Sequence, residues 1–521
     1  FGSREYFPTF SSQRPLAGPP AAAKPTTPPP TRVGKMMVSE KIPLEERTVG
    51  VVHRDAAKMC PGYTLFSAGP ETYLIDEDGR CVHQWRSKRN VFASYLLPNG
   101  HLLRDGSEAI EAPGFAAGGA AGFLEEVTWD NELVWEHSLT PYSSVLSHHD
   151  LHPMPNGNVL VHCWERKSRE EAMAAGRRPD LIPDGEVWDE QILEVKPNGK
   201  GGADLVWKWC VWDHLVQDYD PKKYNYGNVA ENPQLLDINY CVPGGKDGAR
   251  NRDTVKGSGK GDAKGDGKGP PPGKTGEKDW LHVNCFAYDE KHDEIILVAN
   301  CNSELMFIDH STTTEEAASH KGGKHGRGGD ILFRFGNAQV ARRGSRMNQV
   351  LFCPHNASWI EGPEGARHIL LFNNGRAPDR HWSSVEEYRL PFTPGTGYEE
   401  SYTAKGTPTK VWFHGPPNGR QGSFYCTHIS GAQRLPNGNT LVNMGPQAIL
   451  FEVTPDQEEV WRYINPVMQV EGAAAYVRQG DFRTTGRFSL FIAKRYHPED
   501  PCFKDEKGEP RKLIPFRYLE V

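Results

Sequence analysis

A strand that ends in aromatic residues recurs six times along this chain, and no other feature restricts its fold as much. The copies are Val82-His83-Gln84-Trp85, Leu133-Val134-Trp135-Glu136-His137, Leu205-Val206-Trp207-Lys208-Trp209, Ile331-Leu332-Phe333-Arg334-Phe335, Lys410-Val411-Trp412-Phe413-His414 and Glu459-Val460-Trp461-Arg462-Tyr463. Most follow a hairpin with a polar turn, such as Asp76-Glu77-Asp78-Gly79. Between them lie hairpins built on Pro-Asn-Gly, in Leu97-Pro98-Asn99-Gly100, Met154-Pro155-Asn156-Gly157 and Leu435-Pro436-Asn437-Gly438. Degenerate versions occupy 282–299, 355–373 and 484–495. Asn-Gly between apolar runs is a strong hairpin signal, because both central positions tolerate positive φ. Six of each half, at two strands per half, amount to six four-stranded antiparallel sheets. All-β units of this kind, repeating at roughly 40 residues or more, are the blades of a propeller. The chain opens on a lone outer half (72–85) and closes on a lone inner hairpin (484–495). Joined, they complete a ring, so the sequence predicts a six-bladed β-propeller in which N-terminal strands pair with a C-terminal hairpin and leave no edge at the seam.

Composition supports this and excludes several function classes. The 54 Gly, 41 Pro and 13 Trp of the 521 residues suit short strands and tight turns better than helices. A net charge of −7 excludes a generally basic, nucleic-acid-coating protein. The longest near-apolar stretch, Gly114 to Leu124, is about half a membrane span. The cysteines are scattered without a CxxC pair, which argues against a zinc ribbon. Residues 1–47 are Pro-rich and expected to be an extended tail. Residues 48–500 form the expected propeller and 501–521 a C-terminal extension. An insertion over 210–279 carries a helical-looking piece, Trp212 to Asp220. Its low-complexity part, 244–278, holds nine basic and five acidic residues and is expected to lie outside the core.

The innermost strand of each blade lines the central channel, so residues at its start converge from several blades. Four of the six carry histidine there, in Ser147-His148-His149-Asp150-Leu151-His152, Trp280-Leu281-His282-Val283-Asn284, Cys353-Pro354-His355-Asn356 and Cys426-Thr427-His428-Ile429. Strand alternation predicts His148 and His152 on one face and His149 on the other. The Gly-rich run 114–122 matches neither a dinucleotide fingerprint nor a P-loop, so no phosphate site is expected there.

The order of these segments resembles the arylsulfotransferase family, which are six-bladed propellers. The matching pieces are Pro61 to Phe66 with Thr72 to Asp76, the His149 segment through Asn158, Trp280 to Asp289, and His355 with Leu371 to Arg376. Ile429 to Arg434, continuing through Trp461, completes the set. The resemblance implies transfer of a sulfuryl group from an aryl sulfate ester to a phenol through a sulfohistidine, with no cofactor and in an extracytoplasmic location. It implies oxyanion binding by His282, His355 and Arg376; by their places in the repeat, His149 (or His152), His282, His355 and His428 are expected to converge at one mouth of the channel with Arg376 near. The family's nucleophile lies in a Gly-rich strand whose counterpart here, Asn443 to Phe451, contains no histidine, so His428 at the start of that blade is the candidate nucleophile. Two alternatives stand beside this reading. One is a transition metal held on the channel axis by His149, His152, His282, His355 and His428, since imidazole suits such ions. The other is a non-catalytic scaffold or cell-surface propeller. No nucleic-acid partner and no membrane span are expected, and an oligomer is compatible with the sequence.

Overall fold

The computed structural model describes residues 42–519, apart from 108–114, 116, 140–143, 183–184, 200, 241–277, 417–421, 471–472 and 484–486. The tail through residue 41 and nearly all of the low-complexity segment 244–278 therefore lie outside the described residues. The described strands form six antiparallel sheets of four or five strands, the blades of a propeller. Blade 2 spans 94–138, blade 3 spans 145–210, blade 4 spans 283–335, blade 5 spans 354–414 and blade 6 spans 431–464. Every predicted half falls on a strand pair except the C-terminal hairpin (484–495), whose first three residues lie outside the described ones. Among the described residues no helix is long and apolar enough to cross a membrane.

Blade 1 closes the ring, though not with the predicted hairpin. Its strands Tyr63–Ala68, Glu71–Ile75 and Arg80–Arg86 are N-terminal, and the C-terminus contributes one innermost strand, Ala493–Tyr496, which pairs with Tyr63–Phe66. The residues just before that strand are bonded sideways instead. Leu490 donates to the Gly445 carbonyl, the Leu490 and Phe491 carbonyls accept from Asn443, and Gln469 bonds the carbonyls of Arg487 and Ser489. Two further stitches cross the seam. Gly50–Arg54 adds a fifth strand outside blade 6, and Arg517–Tyr518 adds one outside blade 1.

The recurring tryptophan joins each blade to the next. Trp85 donates its indole N–H to the Thr128 carbonyl of blade 2 at 3.2 Å, and Trp135 to the Gly202 carbonyl of blade 3 at 2.5 Å. Trp207 bonds Thr312 Oγ1 of blade 4 at 3.1 Å, Trp412 the Pro455 carbonyl of blade 6 at 3.1 Å, and Trp461 the Glu77 carbonyl of blade 1 at 2.9 Å. Blade 4 has Phe333 at this place, and its ring stacks on Tyr398 instead, 5.2 Å between centroids.

Two local expectations are corrected. In the three Pro-Asn-Gly turns the carbonyl before Pro accepts from the Gly N–H (2.8 Å at Gly100, 3.0 Å at Gly157, 2.9 Å at Gly438), and only the Gly has positive φ. Proline's fixed φ suits the second position of a type I turn, which shifts the turn by one residue and leaves Gly to follow it in the left-handed region. The piece from Trp212 to Asp220 is helical only over Val211–His214, because Leu215–Val216 is drawn out to pair in parallel with Leu236–Asp237.

Candidate functional site

Bulges aim the channel histidines. In blade 3, Leu151 pairs with Val161 and Ser147 with Cys163, so residues 148–150 stand opposite His162 alone, and His149 takes φ 58°. In blade 4, residues 284–285 stand opposite Val298, with His282 at φ 49° just ahead. In blade 5, residues 356–357 stand opposite Leu371. An extra residue in a strand breaks its alternation and re-aims side chains. His148 and His149 accordingly face each other, their Nδ1 atoms 2.9 Å apart, against the alternation expected of them.

At one mouth of the channel these elements enclose a cavity of about 390 Å³ lined by His149, His282, His355 and His428. His149 and His282 are in edge-to-face contact, 4.7 Å between ring centroids. His152 is not part of this cavity. It lines a second one of about 280 Å³ further along the channel, with Asp150, Tyr95 and Lys494. Arg376 is also absent from the lining. It lies behind the wall, where Nε donates to Cys353 Sγ and one Nη to the Cys301 carbonyl and Ser303 Oγ, each at 3.2 Å. Cys301 and Cys353 themselves face the cavity. Among the described residues, no Lys or Arg lines this cavity.

The four histidines differ in how they are held. His282 is buried and its Nδ1 donates to Asp279 Oδ2 at 2.6 Å. His355 is also buried, and both of its nitrogens are engaged. Nδ1 donates to Asn374 Oδ1 at 2.7 Å and toward the Cys353 carbonyl at 3.2 Å, while Nε2 accepts from the Ile429 N–H at 3.1 Å. With Asn374, which donates to the Cys426 and Ile429 carbonyls, it clamps the segment that carries His428. His428 is exposed at the rim, its Nδ1 2.8 Å from Thr427 Oγ1. His149 bonds His148, whose Nε2 meets Glu190 Oε2 at 3.0 Å. Burial pushes His355 down to about 3, against the hydrogen bond it donates to Asn374, and burial followed by neighbouring imidazoles pushes His149 well below its ordinary value. Both rings are neutral near pH 7, the state in which imidazole binds a metal or attacks an electrophile.

Sequence reasoning missed four parts of the site. Asp279 sits three residues before His282, a spacing that could have flagged it. His162 and Glu190 come from the second and third strands of blade 3, whose inward positions carry no motif. Gly118 and Gly119, set aside as an unassigned Gly-rich run, line the cavity. Gly119 has φ +86°, and a Cβ there would lie 2.3 Å from the His149 ring, so only glycine lets this loop pack on the histidine. The nine described cysteines are buried free thiols.

The family model of the arylsulfotransferases (ASST) matches residues 134–474. No curated protein matches the chain. Among solved structures, the chain is similar to a protein of unknown function from Bacteroides caccae (TM-score 0.38, 11% identity, covering 77% of this chain and 93% of that one). It is also similar to a hypothetical selenium-binding protein from Sulfolobus tokodaii (TM-score 0.34, 10% identity, 67% and 61% covered). A third is the Cps50 (Swd1) β-propeller domain of Myceliophteria thermophila (TM-score 0.35, 8% identity, 81% and 87% covered).

Proposed function

The chain belongs to the arylsulfotransferase family, and on that footing we propose that its mouth cavity moves the sulfuryl group of an aryl sulfate ester to a phenol, with His282 as nucleophile. Aryl sulfotransferase-type activity follows from membership; the cavity and the residue roles are the proposal. The observation that carries it is the Asp279–His282 pair on the cavity wall. A carboxylate on Nδ1–H fixes the tautomer, raises the basicity of Nε2 and stabilises the ring as it gains charge. His428 has a hydroxyl at the same nitrogen, which supports a role at the rim rather than as the first nucleophile. Phe92 and Phe491 give the cavity aromatic walls suited to a phenyl ring.

The steps balance without a cofactor. The Nε2 lone pair of His282 attacks sulfur, the S–O bond to the aryl group breaks, and a phenolate leaves. An acceptor phenol then loses its proton to the departing phenolate or solvent and attacks the same sulfur. The N–S bond breaks, and His282 returns neutral. His355 acts through position, holding the segment 426–429 at the rim.

The test is incubation of the full chain with 4-nitrophenyl sulfate and phenol, following nitrophenolate by absorbance and phenyl sulfate by mass spectrometry. Both products are expected. His282→Ala is expected to abolish turnover, and an alkaline quench without acceptor to leave a sulfuryl group on the peptide containing His282. Full turnover by His282→Ala together with a modified His428 peptide would reassign the nucleophile to the rim.

A further inference from the structure

A sulfate ester brings negative charge to a cavity whose described lining residues include neither Lys nor Arg. A cluster of histidines in blade 3 bears on that missing positive charge. His148, His149 and His162 are all buried, and one nitrogen from each lies within 4.8 Å of the others. We propose that these three histidines hold a transition-metal ion at the wall of the cavity, with Glu190 orienting His148. His162 is fully buried and neither of its ring nitrogens has a hydrogen-bond partner, an arrangement that costs stability unless something outside the protein binds there. His148 shows the outer shell of a metal ligand, with Nε2 donating to Glu190 Oε2 at 3.0 Å and Nδ1 turned toward His149. Glu190 is itself fixed, because its other oxygen accepts from the Val283 N–H at 2.8 Å. Trp164 lies flat on His148, 3.8 Å between centroids, and Gly119 packs on His149, so both rings are held in place.

Three neutral imidazoles suit zinc, copper, nickel or iron(II) rather than magnesium or calcium. Binding would open the His148–His149 nitrogen pair from 2.9 Å to about 3.3 Å, the separation of two nitrogens on one tetrahedral ion. This site is built from blade 3 alone and not from several blades around the axis. It excludes His152, which lines the other cavity, and His355, whose two nitrogens are engaged by the protein. Because His149 also lines the mouth cavity, the ion would stand behind that wall and lend its positive charge to a bound sulfate ester through the His149 ring. That charge-stabilising role rests on the sulfuryl-transfer reading; the metal site does not.

The probe is cobalt(II) alone, titrated into the full chain after dialysis against a chelator. One cobalt per chain is expected, with the visible absorption of a histidine-bound, low-coordinate ion. His148→Ala and His162→Ala should each lower cobalt affinity at least a hundredfold. Glu190→Gln should lower it ten- to a hundredfold, and His152→Ala should leave it unchanged. The wild-type titration stands even if a variant fails to fold: no stoichiometric uptake would overturn the site and leave a hydrogen-bonded histidine pair. Uptake that survives in a folded His162→Ala, or is lost in a folded His152→Ala, would overturn it equally. Cobalt binding without turnover of 4-nitrophenyl sulfate would sink the sulfuryl reading and spare the metal site; turnover by cobalt-free protein that takes up no cobalt would do the reverse.

Discussion

Two histidines show how differently one side chain is used here. His310 bridges Asp293 at 2.6 Å and Glu194 at 3.1 Å. Burial alone would lower its pKa, but the hydrogen bonds and charges of the two carboxylates outweigh it and raise it to about 9. A raised folded-state value means that the stabilisation is complete below the unfolded value near 6.5 and is lost as pH rises through about 9. Thermal melts of wild type and His310→Asn should therefore differ most near pH 6 and converge above pH 9; a constant difference would reject the titration. His355 serves position. His355→Ala should lower kcat by disordering the rim segment that holds His428, and His355→Asn should restore part of the loss by remaking one of the two bonds. A pH profile of kcat unchanged from wild type in His355→Asn would separate this role from that of a titrating catalytic group.

At the scale of the strand, the aromatic repeat and its function coincide. The indole N–H of Trp461 reaches the Glu77 carbonyl, so its worth divides into packing and one hydrogen bond. Trp461→Phe should cost about 1 kcal/mol and Trp461→Ala about 3–5 kcal/mol in urea unfolding. No cost from Trp461→Phe would show that the bond contributes nothing. This periodic signal is why the blades were legible: a position that must bury an aromatic ring against the next blade accepts few residues. The histidines at the starts of inner strands were legible for the same reason, since the repeat fixes where they fall. His162 and Glu190 were not, because they come from second and third strands with no shared pattern, and only the bulge opposite His162 brings them to His148. The Pro-Asn-Gly turns were found at the right places but given the wrong geometry, because Pro at one position overrode the hairpin preference of Asn-Gly.

The whole molecule is locked at its seam by one buried ion pair. Arg495, on the closing strand, meets Glu452 of blade 6 at 2.6 Å, and both are almost wholly buried. Glu452 also accepts from the Cys60 N–H and Asn439, and Arg495 bonds Thr64 and the Cys60 carbonyl, so the pair ties three segments distant in sequence. Removing one partner leaves an uncompensated buried charge, which typically costs about 3–5 kcal/mol. Glu452→Ala should lower stability by that amount in denaturant titration, while the exposed Lys291–Glu361 pair should matter little. A small effect of Glu452→Ala would mean that strand pairing and packing close the seam without this ion pair.

The order in which the ring is assembled follows from that seam. On the ribosome, the strand Tyr63–Ala68 is made well before its inner neighbour Ala493–Tyr496, because residues 69–492 lie between them. At roughly 5–20 residues per second, synthesis of the intervening chain takes on the order of 20–90 s. Throughout that interval blade 1 presents a bare strand edge, so the newly made protein is most in need of shielding at the place where the finished one is most firmly closed.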